Sequence, residues 1–331
     1  MRTSWKSSVL AVGLAAFAAA SLTLVTGNAA EARTLKWAHV YETASPYHSW
    51  ALWAAEEVKK RSDGALEIEV FPASSLGKES DINEGLTLGT VDIIYTGQLF
   101  AGNVYGPIAI GGSPYMFRDF GHWTAYRDSE LFQDLAAGYR DEAGHEVIAM
   151  TYYGERHVTS NKEIKQPADM AKLKIRVPDA PLYTMFPEAV GANPTPIAFA
   201  EVYLALQQGV VDAQENPLPT IQFKKFYEVQ DYITLTGHIT DALLAIVAQS
   251  TWESLSDAEK EMLSGVLQEA AAKCTDDIVK AEQELVAWFR DQGKTVNEVD
   301  RAAFREAVVP LHNGPAATWD QATYDKLQAI Q

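Results

Sequence analysis

Three side chains suited to gripping an anion fall beside predicted strand ends. Arg176 lies in Leu173-Lys-Ile-Arg-Val-Pro178, where Leu173, Ile175 and Val177 alternate with Lys174 and Arg176. That alternation is the signature of a half-buried strand, and Pro178 stops it. Arg156 follows the apolar stretch Val147 to Tyr153, just after Gly154. Asn216 closes the strand-like Val210 to Glu215 and precedes Pro217, so it could equally cap the next helix. A guanidinium binds a carboxylate through two parallel hydrogen bonds. In open α/β sheets, ligands bind in the crevice beyond the carboxyl ends of the strands. The pattern predicts recognition of an anion. The plainer alternative for Arg176 is a solvated charge on an exposed face.

Signatures of turnover are sparse. There is no G-x-S-x-G, H-E-x-x-H, G-x-x-x-x-G-K-[ST] or G-x-G-x-x-G. The seven histidines lack metal-ligand spacing. Glu56-Glu57 and Asp276-Asp277 are adjacent in sequence, so their side chains diverge on a helix. A carboxylate pair assembled from distant segments stays open. No cofactor and no metal is implied.

The elements that must hold these side chains alternate. Ser45-Pro46 starts a helix running to Asp63-Gly64. Leu66 to Val70 reads as strand, Asp81 to Gly89 as helix and Val91 to Thr96 as buried strand. Such alternation predicts an α/β sheet with parallel strands. Gly89-Thr-Val-Asp92 is echoed by Gly209-Val-Val-Asp212, through coincidence or through two lobes built alike. The loop Gly191-Ala-Asn-Pro-Thr-Pro196 reads as a rigid connector. Ser256-Asp-Ala-Glu259 is a capping box ahead of a long apolar helical series. If unbroken from about residue 257 to 291 the helix would cross both lobes. The alternative is a bend near Thr275-Asp276. Cys274 falls in the apolar series and reads as core.

The ends and the charge set the compartment. Arg2 and Lys6 precede an apolar run from Val9 to Val25, and Ala30-Glu31-Ala32 is an A-x-A cleavage signature. Residues 1–32 are predicted to be a signal peptide. Its removal leaves 299 of the 331 residues and moves the net charge from −17 to −18, because two bases and one acid go. An acidic surface argues against nucleic acid and against anionic lipid. With one cysteine, no intramolecular disulfide can form.

The ordered motifs are those of a family. Arg156-His-Val-Thr-Ser-Asn161, Leu173-Lys-Ile-Arg-Val-Pro178, Gly191 to Pro196, Glu201-Val-Tyr-Leu-Ala-Leu-Gln207 and Gly209-Val-Val-Asp-Ala-Gln-Glu-Asn-Pro217 form the set. So do Phe71 to Gly77, Gly89 to Asp92 and Lys225 to Val229. Together they closely resemble the substrate-binding proteins of tripartite ATP-independent periplasmic (TRAP) transporters, the DctP family. The resemblance covers nearly all of the predicted mature chain.

It implies an α/β periplasmic binding protein of two lobes, with a cleft, hinge strands and a long helix spanning both. Lobe I would be 33–153 plus about 242–281, and lobe II 154–241 plus about 282–331. It implies a periplasmic receptor for a small organic anion, delivering it to a TRAP membrane permease without catalysis. Arg176 would pair with the ligand carboxylate, Asn216 would add a hydrogen bond, and Arg156 would be a second anion contact. Phe199 would form an aromatic wall. Tyr41, Glu79, Thr96 and Gln98 are first-lobe candidates. Glu79 would accept hydrogen bonds from ligand hydroxyls. Several sialic-acid binders carry an acidic residue where this chain has Gly97-Gln98, which argues against sialic acid. A dicarboxylate, a hydroxy or sugar acid, or a short sulfonate fits the aromatic-rich segments His39 to Tyr41 and Tyr152-Tyr153. A monomer is expected. The alternatives are a receptor for an ATP-driven importer and a secreted enzyme acting on an organic acid.

Overall fold

A computed structural model describes residues 32–331. The predicted signal peptide, all but Ala32, lies outside them. The strands are β1 (Arg33–Ala38), β2 (Leu66–Phe71), β3 (Ile93–Gly97), β4 (Glu146–Ser160), β5 (Lys174–Val177), β6 (Asn193–Pro196), β7 (Ala213–Pro217), β8 (Tyr232–Val247) and β9 (Thr295–Asn297). They form one sheet in the order β2-β1-β3-β8-β4-β7-β5-β6, with β9 beside β8.

The order repeats itself. β1 is parallel to β2 and β3, and β5 is parallel to β6 and β7. β3 then runs antiparallel to β8, and β7 antiparallel to β4. The echoed motif has the same job in both halves. Gly89 and Gly209 end their helices at φ 69° and 67°, where a side chain would be strained. The Asp92 amide donates to the Lys36 carbonyl, and the Asp92 carboxylate accepts the Lys36 amide at 2.8 Å. Asp212 makes the same pair of bonds to Lys174. Each aspartate pins the neighbouring parallel strand, β1 at Lys36 and β5 at Lys174. The echo is therefore structural repetition.

β4 and β8 run the length of the molecule and join the halves. Only Leu243 to Val247 of β8 meet β3, and only Arg156 to Ser160 of β4 meet β7. Between them lies a two-stranded waist, with a bulge at Tyr152/Gly154. Gly154 adopts φ 124°, and a Cβ there would lie 2.5 Å from the Pro217 Cβ. The bend needs glycine.

The helix Asp257–Asp291 is continuous over 35 residues, about 52 Å at roughly 1.5 Å per residue. Ser256 and Glu259 form the expected capping box. Thr275 does not bend the helix. Its hydroxyl donates to Ala271 within the helix and accepts the Tyr152 amide. Leu263, Val266, Leu267, Ala270 and Cys274 enter the larger core, while Leu285 and Phe289 enter the second core with Ile233 of β8 and Val296 of β9. Glu282 accepts the Glu155 amide and the Tyr152 hydroxyl, fastening the waist to the helix.

Two expectations are corrected. Arg156 does not follow a strand end: the bulge lets β4 continue through Gly154 to Ser160. The connector before Pro196 is an edge strand, β6, where proline's missing donor faces no partner. The last residues bond to segments of the first half. His312 bonds the Pro114 carbonyl, Thr318 bonds Gly106, and Arg118 bonds Gln328 and Ile330. Trp319 and Leu327 join the larger core.

Candidate anion site between the lobes

The segment after β1, the start of the helix Glu79–Leu88 and the end of β3 converge with residues of β4, β5, β7 and β8 on one cleft. It encloses about 500 Å³ of empty space, part of it open to solvent. Tyr41, Glu79, Arg156, Arg176, Phe199 and Asn216 all line it.

Arg176 is 2% exposed, although its place in the β5 alternation suggested the solvent side with Lys174. Its Nε and Nη2 both donate to the Ile197 carbonyl, at 2.9 and 2.7 Å. Nη1 is buried without a partner. Burial lowers the pKa to about 10; the Glu215 carboxylate opposes that shift and Arg156 adds to it. A buried cation with an idle donor is costly unless an anion completes it.

Arg156 is equally buried but already satisfied. It binds both Glu215 carboxylate oxygens and the Glu215 carbonyl, and Nη1 donates to Asp241 at 2.9 Å. The Tyr183 ring lies 5.2 Å from its guanidinium carbon. Burial opposes the charge, but Glu215 holds Arg156 firmly protonated. Glu215 in turn falls to about 2, since Arg156 and His238 outweigh its own burial. The two arginines differ: two carboxylates neutralise Arg156 and none pairs with Arg176 among the described residues.

Asn216 is not a cap, since Pro217 precedes the helix Leu218–Phe223 and no side chain caps it. The amide donates to Gln214 at 2.7 Å and accepts the Tyr153 hydroxyl at 3.1 Å. Glu79 takes the Gly97 amide and the Thr96 hydroxyl on one carboxylate oxygen, at 2.8 and 3.0 Å. Burial raises its pKa to about 7 despite those bonds. Phe199 meets Tyr41 edge-on at 6.1 Å.

Two candidates fall outside the cleft lining. Thr96 acts one step back, holding Glu79 and taking a bond from Asn83. Gln98 begins the short helix Gln98–Ala101, which turns its side chain into the first-half core beside Tyr126. Sequence reasoning missed Ser80, Tyr183 and Asp241. Ser80 lines the cleft with a buried hydroxyl that has no partner. Its only sequence signal is adjacency to Glu79. Among the described residues no cluster of His, Cys, Asp or Glu is placed to hold a metal ion. No described helix is long and apolar enough to cross a membrane.

Known proteins resemble this chain in sequence and fold. The family described as "Bacterial extracellular solute-binding protein, family 7" (DctP) matches residues 37–317. The sialic acid-binding periplasmic protein of Vibrio cholerae is 34% identical over 300 residues, covering 90% of this chain and 93% of that one. A TRAP periplasmic solute-binding protein of Polaromonas, solved with D-erythronate, superposes with a TM-score of 0.86 at 32% identity, covering 90% of this chain and 99% of its own. One from Roseobacter denitrificans, solved with L-galactonate, gives 0.85 at 32% identity, covering 91% and 99%.

Proposed function

The chain belongs to family 7 of the bacterial extracellular solute-binding proteins, which serve TRAP transporters, and from that premise we propose that it is a periplasmic receptor for a small hydroxylated monocarboxylic acid. The solute's carboxylate sits on Arg176 Nη1, and its hydroxyls face Glu79, Ser80 and Asn216. The receptor closes on the acid and hands it to a TRAP membrane permease, with no chemical change.

The observation that carries this reading is the idle, buried Nη1 of Arg176 in a cleft whose other arginine is neutralised. One free cationic donor suits one carboxylate. Carboxylates of Glu79, Asp179 and Asp241 also line the cleft. Asp241 is paired with Arg156 and Asp179 with Lys78, whereas one Glu79 carboxylate oxygen takes no bond from the protein and can accept one from a solute hydroxyl; no second unpaired guanidinium lines the cleft for a second carboxylate. A hydroxy or sugar acid therefore fits better than a dicarboxylate. The structures with D-erythronate and L-galactonate support that class. We place lobe I at 33–153, about 242–281 and 312–331, and lobe II at 154–241 and about 282–311. The change of partners along β4 and β8 supports the division.

A thermal-shift panel of aldonates, C4-dicarboxylates and short sulfonates tests the proposal. Binding to the folded state raises the melting point by mass action. Aldonates should give the largest shift. A larger shift with dicarboxylates contradicts the ligand class, and loss of a bound acid on prolonged incubation contradicts the absence of turnover.

A further inference from the structure

Glu42 lies just beyond β1, in the first half, and Lys224 ends the helix after β7, in the second. Their charged atoms are 2.6 Å apart, with side chains only 32% and 12% exposed. Lys224 Nζ also lies 4.9 Å from the centre of the Phe199 ring. The Arg176 guanidinium carbon is 5.9 Å from the same ring. A second, smaller space of about 180 Å³ lies here, lined by Glu42, Tyr47, Phe223 and Lys224. It shares Tyr41 and Phe199 with the main cleft, so those two rings form the partition.

We propose that Lys224 is a positioning residue of the anion site: its ion pair with Glu42 clasps the lobes at the rear of the cleft and holds Phe199 beside Arg176. The inference rests on the receptor reading. Opening separates Glu42 from Lys224, so the pair exists only in the closed form and must break before the solute leaves. Partial burial shields it from the screening that makes exposed pairs weak. Among the described residues Lys78 and Asp179 also pair between the halves, at 3.4 Å and about half exposed, but both line the cleft, so the exposed pair Lys59 to Glu67 serves as the control.

The test is release of L-galactonate, followed by stopped-flow tryptophan fluorescence. K224M and E42Q should each speed release about three- to tenfold, with association changed less than twofold. The charge swap E42K/K224E should recover most of the loss, and K59M should match the wild type. Salt should accelerate release less in K224M and E42Q than in the wild type. Unchanged release in both variants overturns the clasp, as does a swap that releases as fast as K224M. If the wild type binds no acid of the panel, the receptor reading fails by itself. The clasp is then read without solute, from spin labels on the two halves. The closed spacing must be populated in the wild type and lost in K224M; its absence in the wild type, or its persistence in K224M, overturns the clasp.

Discussion

Arg176, which lines the cleft, spends two donors on a single acceptor, the carbonyl oxygen of Ile197, and its Nη1 is buried without a hydrogen-bond partner. That pairing fixes the plane of the guanidinium without neutralising it. No described acidic side chain forms a salt bridge with Arg176, whereas Arg156 has two. One arginine is part of the scaffold. The other has a donor without a partner, which the proposed function assigns to a solute.

Removing the free cation should cost binding and spare the fold. Truncating one partner of a buried hydrogen-bonded charge pair costs about 2–5 kcal/mol. At about 1.4 kcal/mol per tenfold, R176A should weaken the acid by roughly thirty-fold or more. Calorimetry gives the affinity, and a urea melt should show stability equal to or above the wild type. Near-normal affinity removes Arg176 from the site.

Arg156 should behave in the opposite way. R156M leaves Glu215 and Asp241 buried and uncompensated, and breaking such a network costs about 3–5 kcal/mol. Urea denaturation should reveal the loss with no solute present. A variant that melts normally but fails to bind would return Arg156 to the list of ligand contacts.

The contrast between the two arginines marks what the sequence could disclose. Both were found from their residue type and from nearby strands, and both line the cleft. Local periodicity carries no information about Glu215 and Asp241, which reach Arg156 through pairing of β4 with β7 and β8. Those non-local contacts decide which guanidinium is free. Gln98 failed for a local reason: a helix starts at that residue and redirects its side chain. The long helix was legible because its capping box and apolar series are local. The bonds from His312 to Pro114 and from Thr318 to Gly106 were not legible, because they join residues more than 190 apart in sequence.

The waist should be sensitive to pH. Burial raises Glu282 to about 7, against the hydrogen bonds from Glu155 and Tyr152. The folded chain thus keeps a proton that the unfolded chain loses from about 4.5 upward. Stability falls as pH rises through that window, by at most about 1.4 kcal/mol per pH unit for one group. E282Q keeps an acceptor and should remove this share of the slope. Denaturant melts from pH 5 to pH 7 check it. Parallel curves for wild type and E282Q contradict the assignment. Glu79 shifts in the same direction, so some slope should survive.

Gly154 should tolerate no side chain. At φ 124° a new Cβ meets the Pro217 Cβ at 2.5 Å and the Glu282 carboxylate at 2.9 Å. G154A should destabilise the chain by about 1–3 kcal/mol through backbone strain, with steric contact added. Thermal melting measures this. Full stability would mean that the bulge can move without cost.

The account turns on the occupant of Arg176 Nη1. A crystal structure with the strongest binder of the acid panel tests this directly. The account predicts the solute's carboxylate within about 2.7–3.1 Å of Nη1, with Nε and Nη2 still on the Ile197 carbonyl and a solute hydroxyl near Glu79. An acid bound outside this cleft, or a carboxylate seated on Arg156 with Nη1 of Arg176 still idle, would contradict it.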